Sequence, residues 1–171
     1  MESTIQNESS LFEDSARASL ARSIAEHPSS RRITHVQGRK IIDWLTESRR
    51  QPTTQEEFSR RNYVRKMFVW DESESRLLAV SKSTSYRMRA VVFTDDIVDV
   101  VEQVHRTNGH GGWDTTWESI NSHYYGILRA DVILLLKTCR VCSHDPRKRP
   151  KGSVNLPAQP STNLIETQSM R

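Results

Sequence analysis

The stretch that decides the fold is Val104-His105-Arg106-Thr107-Asn108-Gly109-His110-Gly111-Gly112, answered further along by Cys139-Arg140-Val141-Cys142. Four residues separate the two histidines, and twenty-eight lie between His110 and Cys139. A structural zinc site closes the ion with four imidazole or thiolate donors, and short-range donor pairs let each half be preset by one local turn. Between the halves, Asp114 to Ser122 and Arg129 to Thr138 read as two helices, so the chain leaves with the histidines and returns with the cysteines. A Zn2+ ion held by His105, His110, Cys139 and Cys142 would clamp a helical hairpin. A thioredoxin-like redox pair and an inert buried cysteine pair are the other readings of the C-x-x-C. The redox pair should open a helix after a strand, whereas Cys139 closes a helix. His123 and His144 lie close enough in sequence to substitute as donors and are read as bystanders.

The pattern resembles the His-His-Cys-Cys zinc-binding domain of retroviral and retrotransposon integrases. The resemblance rests on Gly109-His110-Gly111-Gly112, the aromatic pair Tyr124-Tyr125, Asp131-Val132 in the last helix and the cysteine knuckle at its end. Many members carry Trp-Pro after an aromatic where this chain has Tyr125-Gly126, so a looser turn is expected there. The segment from about Val64 to Val104 also resembles the small extension that precedes this domain in many retrotransposon integrases.

Composition sets the outer bounds. The hydrophobic fraction is 35% and the mean hydropathy −0.67, low enough that part of the chain is expected to stay out of any core. No run approaches the roughly 20 apolar residues of a membrane helix, and the first residues lack the regions of a signal peptide, so a soluble, intracellular chain is expected. Both cysteines sit in one C-x-x-C, which leaves no long-range disulfide framework. Charge is uneven: acidic residues predominate over 1–30, while Arg129, Lys137, Arg140, Arg147, Lys148, Arg149 and Lys151 gather around the cysteines. Such a cluster beside a helical hairpin is the footprint of phosphate contact, or else a solvated basic tail.

Outward from the centre, residues 1–30 read as disordered, with at most a transient helix from Ser15 to Glu26. Ile41, Trp44 and Leu45 recur at helical spacing between Val36 and Arg49. Thr54 and Glu57 form a capping box for a second helix to about Arg65, which carries Arg60, Arg61, Arg65 and Lys66. Met67–Trp70 and Arg76–Ser81 read as a hairpin, with Arg87–Phe93 as a third strand and Trp44 and Trp70 as core anchors. Thr94 is the expected N-cap of the helix that brings His105, and Asp114 that of the next. That next helix carries Trp113, Trp117, Ile120 and Tyr124 on one face, read as core rather than as a base-stacking platform. Val132–Leu136 is apolar nearly all round, which predicts burial on several sides or against a partner such as a second copy.

The expected fold is α+β: a small helical zinc-binding domain preceded by a short three-stranded sheet and two helices, with disordered termini. The expected divisions are an acidic disordered tail (1–30), a helical pair with a small sheet (31–93), the zinc-binding domain with its basic exit (94–151) and a disordered tail (152–171). Integrase catalysis, as the resemblance implies, needs an acidic metal-binding core for which the residues after Cys142 are too few. A non-enzymatic chain without a small-molecule substrate or a membrane partner is therefore expected. The resemblance implies DNA binding in the nucleus, as in fungal regulators that have adopted such fingers. It equally allows a zinc-dependent self-assembly module, since the viral domains also assemble subunits, or a retrotransposon remnant. Arg147-Lys148-Arg149-Pro150-Lys151 suits nuclear import as well as DNA contact.

Overall fold

The computed structural model describes residues 10–47, 51–81 and 88–145. Helix α1 spans Ser15–Glu26 and α2 spans His35–Thr46. The Thr34 hydroxyl accepts the Gln37 N–H at 3.2 Å while the Gln37 side chain accepts the Thr34 N–H at 2.9 Å, a reciprocal cap that fixes where α2 begins. Helix α3 spans Gln55–Met67. Thr54 accepts the Glu57 N–H as expected, but the Glu57 carboxylate turns to Thr53, accepting its N–H at 2.8 Å and its hydroxyl at 2.9 Å. The box is thus displaced by one residue on its return arm.

Strands β1 (Phe68–Asp71) and β2 (Arg76–Val80) form the expected antiparallel hairpin, with Asp71 opposite Arg76. The Asp71 carboxylate accepts the Ser73 N–H and hydroxyl and so folds the turn. Strand β3 (Met88–Val91) adds to β2. A fourth strand, β4 (Tyr124–Tyr125), pairs in parallel with β3, giving the order β1-β2-β3-β4. Three strands were expected. The fourth comes from the aromatic pair, so the sheet crosses the division drawn between residues 93 and 94. The turn after β4 is not loose: Gly126 has φ +108° and lies so close to the Val92 carbonyl that a Cβ could not fit.

Thr94 does not cap the helix that brings His105. Thr94–Asp96 form a 3-10 turn whose Phe93 N-cap makes no side-chain bond, and α4 runs from Ile97 to Thr107. Helix α5 (Trp113–His123) is preceded by Gly112, which leaves Asp114 inside the first turn where its charge suits the helix dipole. Helix α6 spans Arg129–Leu136.

Two cores result. The smaller joins Ile33, Phe68, Leu77, Ala79 and Tyr125, with Trp70 and Phe93 packed against it, while Trp44 is buried nearby in α2. Gly38 of α2 meets the Phe93 ring so closely that any side chain there would collide. The larger core surrounds α4, α5 and α6, with Ile97, Val101, Ile120, Val132 and Leu135 essentially inaccessible and Trp113, Trp117 and Tyr124 packed on its edge.

The expectation of disorder over residues 1–30 fails for their described part. Ala16 and Leu20 of α1 are buried in the larger core and Ile24 packs against it, with Phe12, just before the helix, continuing the four-residue spacing. Helix α1 lies on α6 and takes up apolar surface of it, the burial on several sides that was one of the two expectations for Val132–Leu136. The turn after α1 then delivers Arg32, whose Nε and one NH2 bind the two Asp131 oxygens at 3.2 and 2.6 Å while another nitrogen donates to the His27 carbonyl at 2.6 Å. Both side chains are buried, and Asp131 also accepts the Leu128 N–H at 2.9 Å at the start of α6.

A buried charge left without its partner costs about 3–5 kcal/mol. Arg32→Met should therefore destabilise the metal-loaded chain by about that amount in urea unfolding, and adding Asp131→Asn to it should recover part of the loss. A double-variant loss equal to the sum of the Arg32→Met and Asp131→Asn losses would mean that the pair is not energetically coupled.

Candidate metal centre

Helix α4 ends at the site because its buried face runs Ile97, Val98, Val101 and His105, so the imidazole enters the core at the helix's last turn. The chain then reverses. Asn108 donates from its side chain to the Ser119 hydroxyl at 3.0 Å, and Gly109 and His110 take left-handed φ values of +59° and +58°. Glycine adopts this region freely, whereas for histidine it is an uncommon conformation that needs support. Of the glycines flanking His110 only Gly109 takes the left-handed region, and the second left-handed residue is the histidine itself.

The four donors meet. His105 Nε2 lies 3.2 Å from Cys142 Sγ, and His110 Nδ1 lies 3.6 Å from Cys139 Sγ and 3.8 Å from Cys142 Sγ. All four donor atoms fall within 4.8 Å of one another. With metal–nitrogen bonds of about 2.0–2.1 Å and metal–sulfur bonds of about 2.3 Å, a tetrahedron has nitrogen–sulfur edges of roughly 3.5 Å. The measured edges bracket that value, so the residues fit a four-coordinate metal ion. His105 and both cysteines are buried and His110 is half-buried.

The surroundings prepare the donors. Thr116, fully buried on α5, places its hydroxyl 3.3 Å from His105 Nδ1 and donates onward to the Gly111 carbonyl at 3.4 Å. That bond keeps the Nδ1 proton on the far side of the ring and leaves Nε2 free to coordinate. The Cys142 N–H points at Cys139 Sγ at 3.5 Å, a contact that fixes the sulfur within the turn between the two cysteines. Thr116 was not singled out in the sequence; its one signal is its position among the aromatic residues of α5, where a hydroxyl needs a polar partner.

An N-terminal strap covers the centre. Phe12 bridges Cys139, its ring stacks on His105 with centroids 6.4 Å apart, and the Arg140 N–H bonds to the Leu11 carbonyl at 2.9 Å. Glu102 holds the strap by accepting the Leu11 N–H and the Ser10 hydroxyl, both at 2.9 Å, and also pairs with Arg106. Burial pushes the Glu102 carboxyl up, but the Leu11, Ser10 and Arg106 donors outweigh it and hold it below the ordinary range.

The remaining sequence candidates stand apart from this cluster. His123 and His144 bond to the Ser119 and Arg140 carbonyls. Arg129 stacks over Trp113 at 4.1 Å and pairs with Asp114 at 3.5 Å, joining the starts of α5 and α6. Lys137 and Arg140 are exposed. Arg147, Lys148, Arg149 and Lys151 lie outside the described residues.

Phe12→Ala should open the centre and quicken metal transfer to a chelator by at least several-fold while leaving stoichiometry unchanged; an unaltered transfer rate would remove the strap's protective role. Because its folded-state pKa is lowered, Glu102 contributes stability above its unfolded pKa of about 4.3 and loses it as pH falls through the lower folded value. The stability gap between wild type and Glu102→Gln, from urea unfolding, should thus be full near neutrality and close only below about pH 4.

Residues 94–146 match the family model of the integrase zinc binding domain. No curated protein and no solved structure matches the chain. The match brackets all four donors, the buried Asp131 and the aromatic pair that forms β4. Residues 94–146 are thus similar to an integrase-type zinc-binding domain, and α1 to α3 and β1 to β3 precede them in the chain.

Proposed function

We propose that the chain is a non-catalytic, zinc-dependent DNA-binding protein of the nucleus, of regulatory or retroelement-derived character. One observation carries the zinc reading: four protein donors, two nitrogen and two sulfur, stand at tetrahedral edge distances. Zn2+ would supply closure here rather than reactivity, because four protein donors leave no position for a substrate or an activated water.

The DNA reading is supported by the net charge of +4 and by the cations around the cysteines. Lys137 and Arg140 offer exposed charge for phosphate contact, and Arg147, Lys148, Arg149 and Lys151 extend it along the sequence. Arg129 is engaged with Trp113 and Asp114, which suits it to positioning rather than to direct phosphate contact.

Purified chain should contain one zinc ion by elemental analysis, and His110→Ala or Cys139→Ser should lose it together with helical content over 94–145. Affinity for duplex DNA should fall with salt on a log–log slope of about −0.9 per neutralised phosphate, and replacing Lys137, Arg140, Arg147, Lys148, Arg149 and Lys151 by Gln should flatten it without zinc loss. A zinc-loaded chain that dimerises and shows no salt-sensitive DNA binding would replace this reading with the self-assembly one.

A further inference from the structure

Away from the metal centre, five segments converge on the Tyr125 ring. The Arg31 guanidinium, from the turn after α1, lies 5.9 Å from the ring centroid, and that of Arg89, from β3, lies 5.3 Å away. Tyr125 itself is buried against Phe68 in a tilted edge contact. The Tyr63 phenol of α3 stands close enough to act on it electrostatically: burial first, and then Tyr63, push the Tyr125 hydroxyl up, against the pull of the two arginines. Asn121 of α5 completes the group.

The charges here are uncompensated. Among the described residues no carboxylate pairs with Arg31 or Arg89, although other arginines of the chain find such partners. The Arg89 Nε is inaccessible and has no acceptor among the described residues, and Nη1 reaches the Asn121 carbonyl and side-chain oxygens, each at 3.5 Å. That distance is at the outer limit of a hydrogen bond. Burial lowers the Arg89 pKa, and the neighbouring Arg31 cation lowers it further. Cation–π attraction to Tyr125 offsets part of this repulsion but satisfies none of the N–H donors.

We propose that Arg31 and Arg89 form a clamp for a backbone phosphate of nucleic acid on the seam between the sheet and α5. The Arg31 and Arg89 guanidiniums, 5.9 and 5.3 Å from the same ring centroid, offer fork donors that match the oxygens of a phosphodiester, and an anion beside them would relieve the repulsion between the two cations. A nucleic-acid source is favoured over a carboxylate because Tyr63, half exposed beside the clamp, offers a ring face to a neighbouring base, and its helix also carries exposed Arg60, Arg65 and Lys66. The site rests on the DNA reading for the origin of its phosphate, and it lies apart from the cations around the cysteines.

The test uses the full zinc-loaded chain with three probes: inorganic phosphate, a duplex and a single-stranded oligonucleotide. Arg31→Gln alters an exposed side chain and should leave zinc content and helicity unchanged; Arg89→Lys serves as the second variant, keeping the charge but not the fork. Each should weaken oligonucleotide binding several-fold, with Arg31→Gln reducing the salt slope by about one contact. In wild type, phosphate should shift the Arg89 Nε–H resonance, and Arg31→Gln should diminish that shift. Unchanged oligonucleotide affinity and slope in both folded variants would overturn the clamp while leaving DNA binding intact. A phosphate-dependent shift without any oligonucleotide binding would uphold the anion site and overturn its nucleic-acid source. Absence of both responses would overturn the site altogether.

Discussion

The fold depends on bringing His105 and Cys142, thirty-seven residues apart in the chain, to 3.2 Å from each other inside the protein. Two imidazoles and two thiols in such proximity have little reason to stay together unless a cation joins them. The elements they connect are short. α5 has 11 residues and α6 has 8, below the roughly 12–15 at which isolated helices become even marginal in water. Closure by the ion and burial against the shared core therefore hold them, and the left-handed His110 is a strain that the same closure supports.

The rest of the chain is fitted around that closure rather than attached beside it. Phe12 lies over His105 and Cys139, α1 lies along α6, and Arg32 reaches the carboxylate that starts α6. On the opposite flank, β4 leaves α5 directly and joins the sheet through β3, which places Tyr125 in the second core. The aromatic pair and the Asp-Val of the integrase-type pattern thus have structural work here: one stitches the domain to the sheet, and the other receives a buried arginine from ninety-nine residues upstream. Phe12 seals the centre by direct contact with two donors, while Arg32 acts one step away, on the start of the helix that leads to the cysteines.

Much of the metal centre was legible in the sequence because donor chemistry and spacing constrain it more tightly than packing does. Helix α2 was legible from its apolar spacing, α3 from its Thr54 cap and the β1–β2 hairpin from its polar turn, whereas the Thr34–Gln37 cap of α2 went unread. The bounds of α1 were legible as a transient helix from Ser15 to Glu26, but not its burial, because the apolar stripe of Ala16, Leu20 and Ile24, continued upstream by Phe12, is thin and acquires its partner only in α6. Arg32 went unremarked in the sequence, since nothing local marks an arginine whose partner is a buried aspartate. Likewise, two residues of β4 carry no strand pattern of their own; their pairing exists only because Gly126 lets the chain pass against the Val92 carbonyl.

The central claim is that this chain's own four side chains complete the coordination of one zinc ion, and X-ray absorption at the zinc edge of the purified full chain measures that directly. The account predicts two nitrogen scatterers at about 2.0–2.1 Å, two sulfur scatterers at about 2.3 Å and no additional light-atom ligand, with one sulfur lost in Cys142→Ser. A first shell containing a water oxygen or fewer than two sulfurs, or zinc bound without dependence on Cys142, would contradict it.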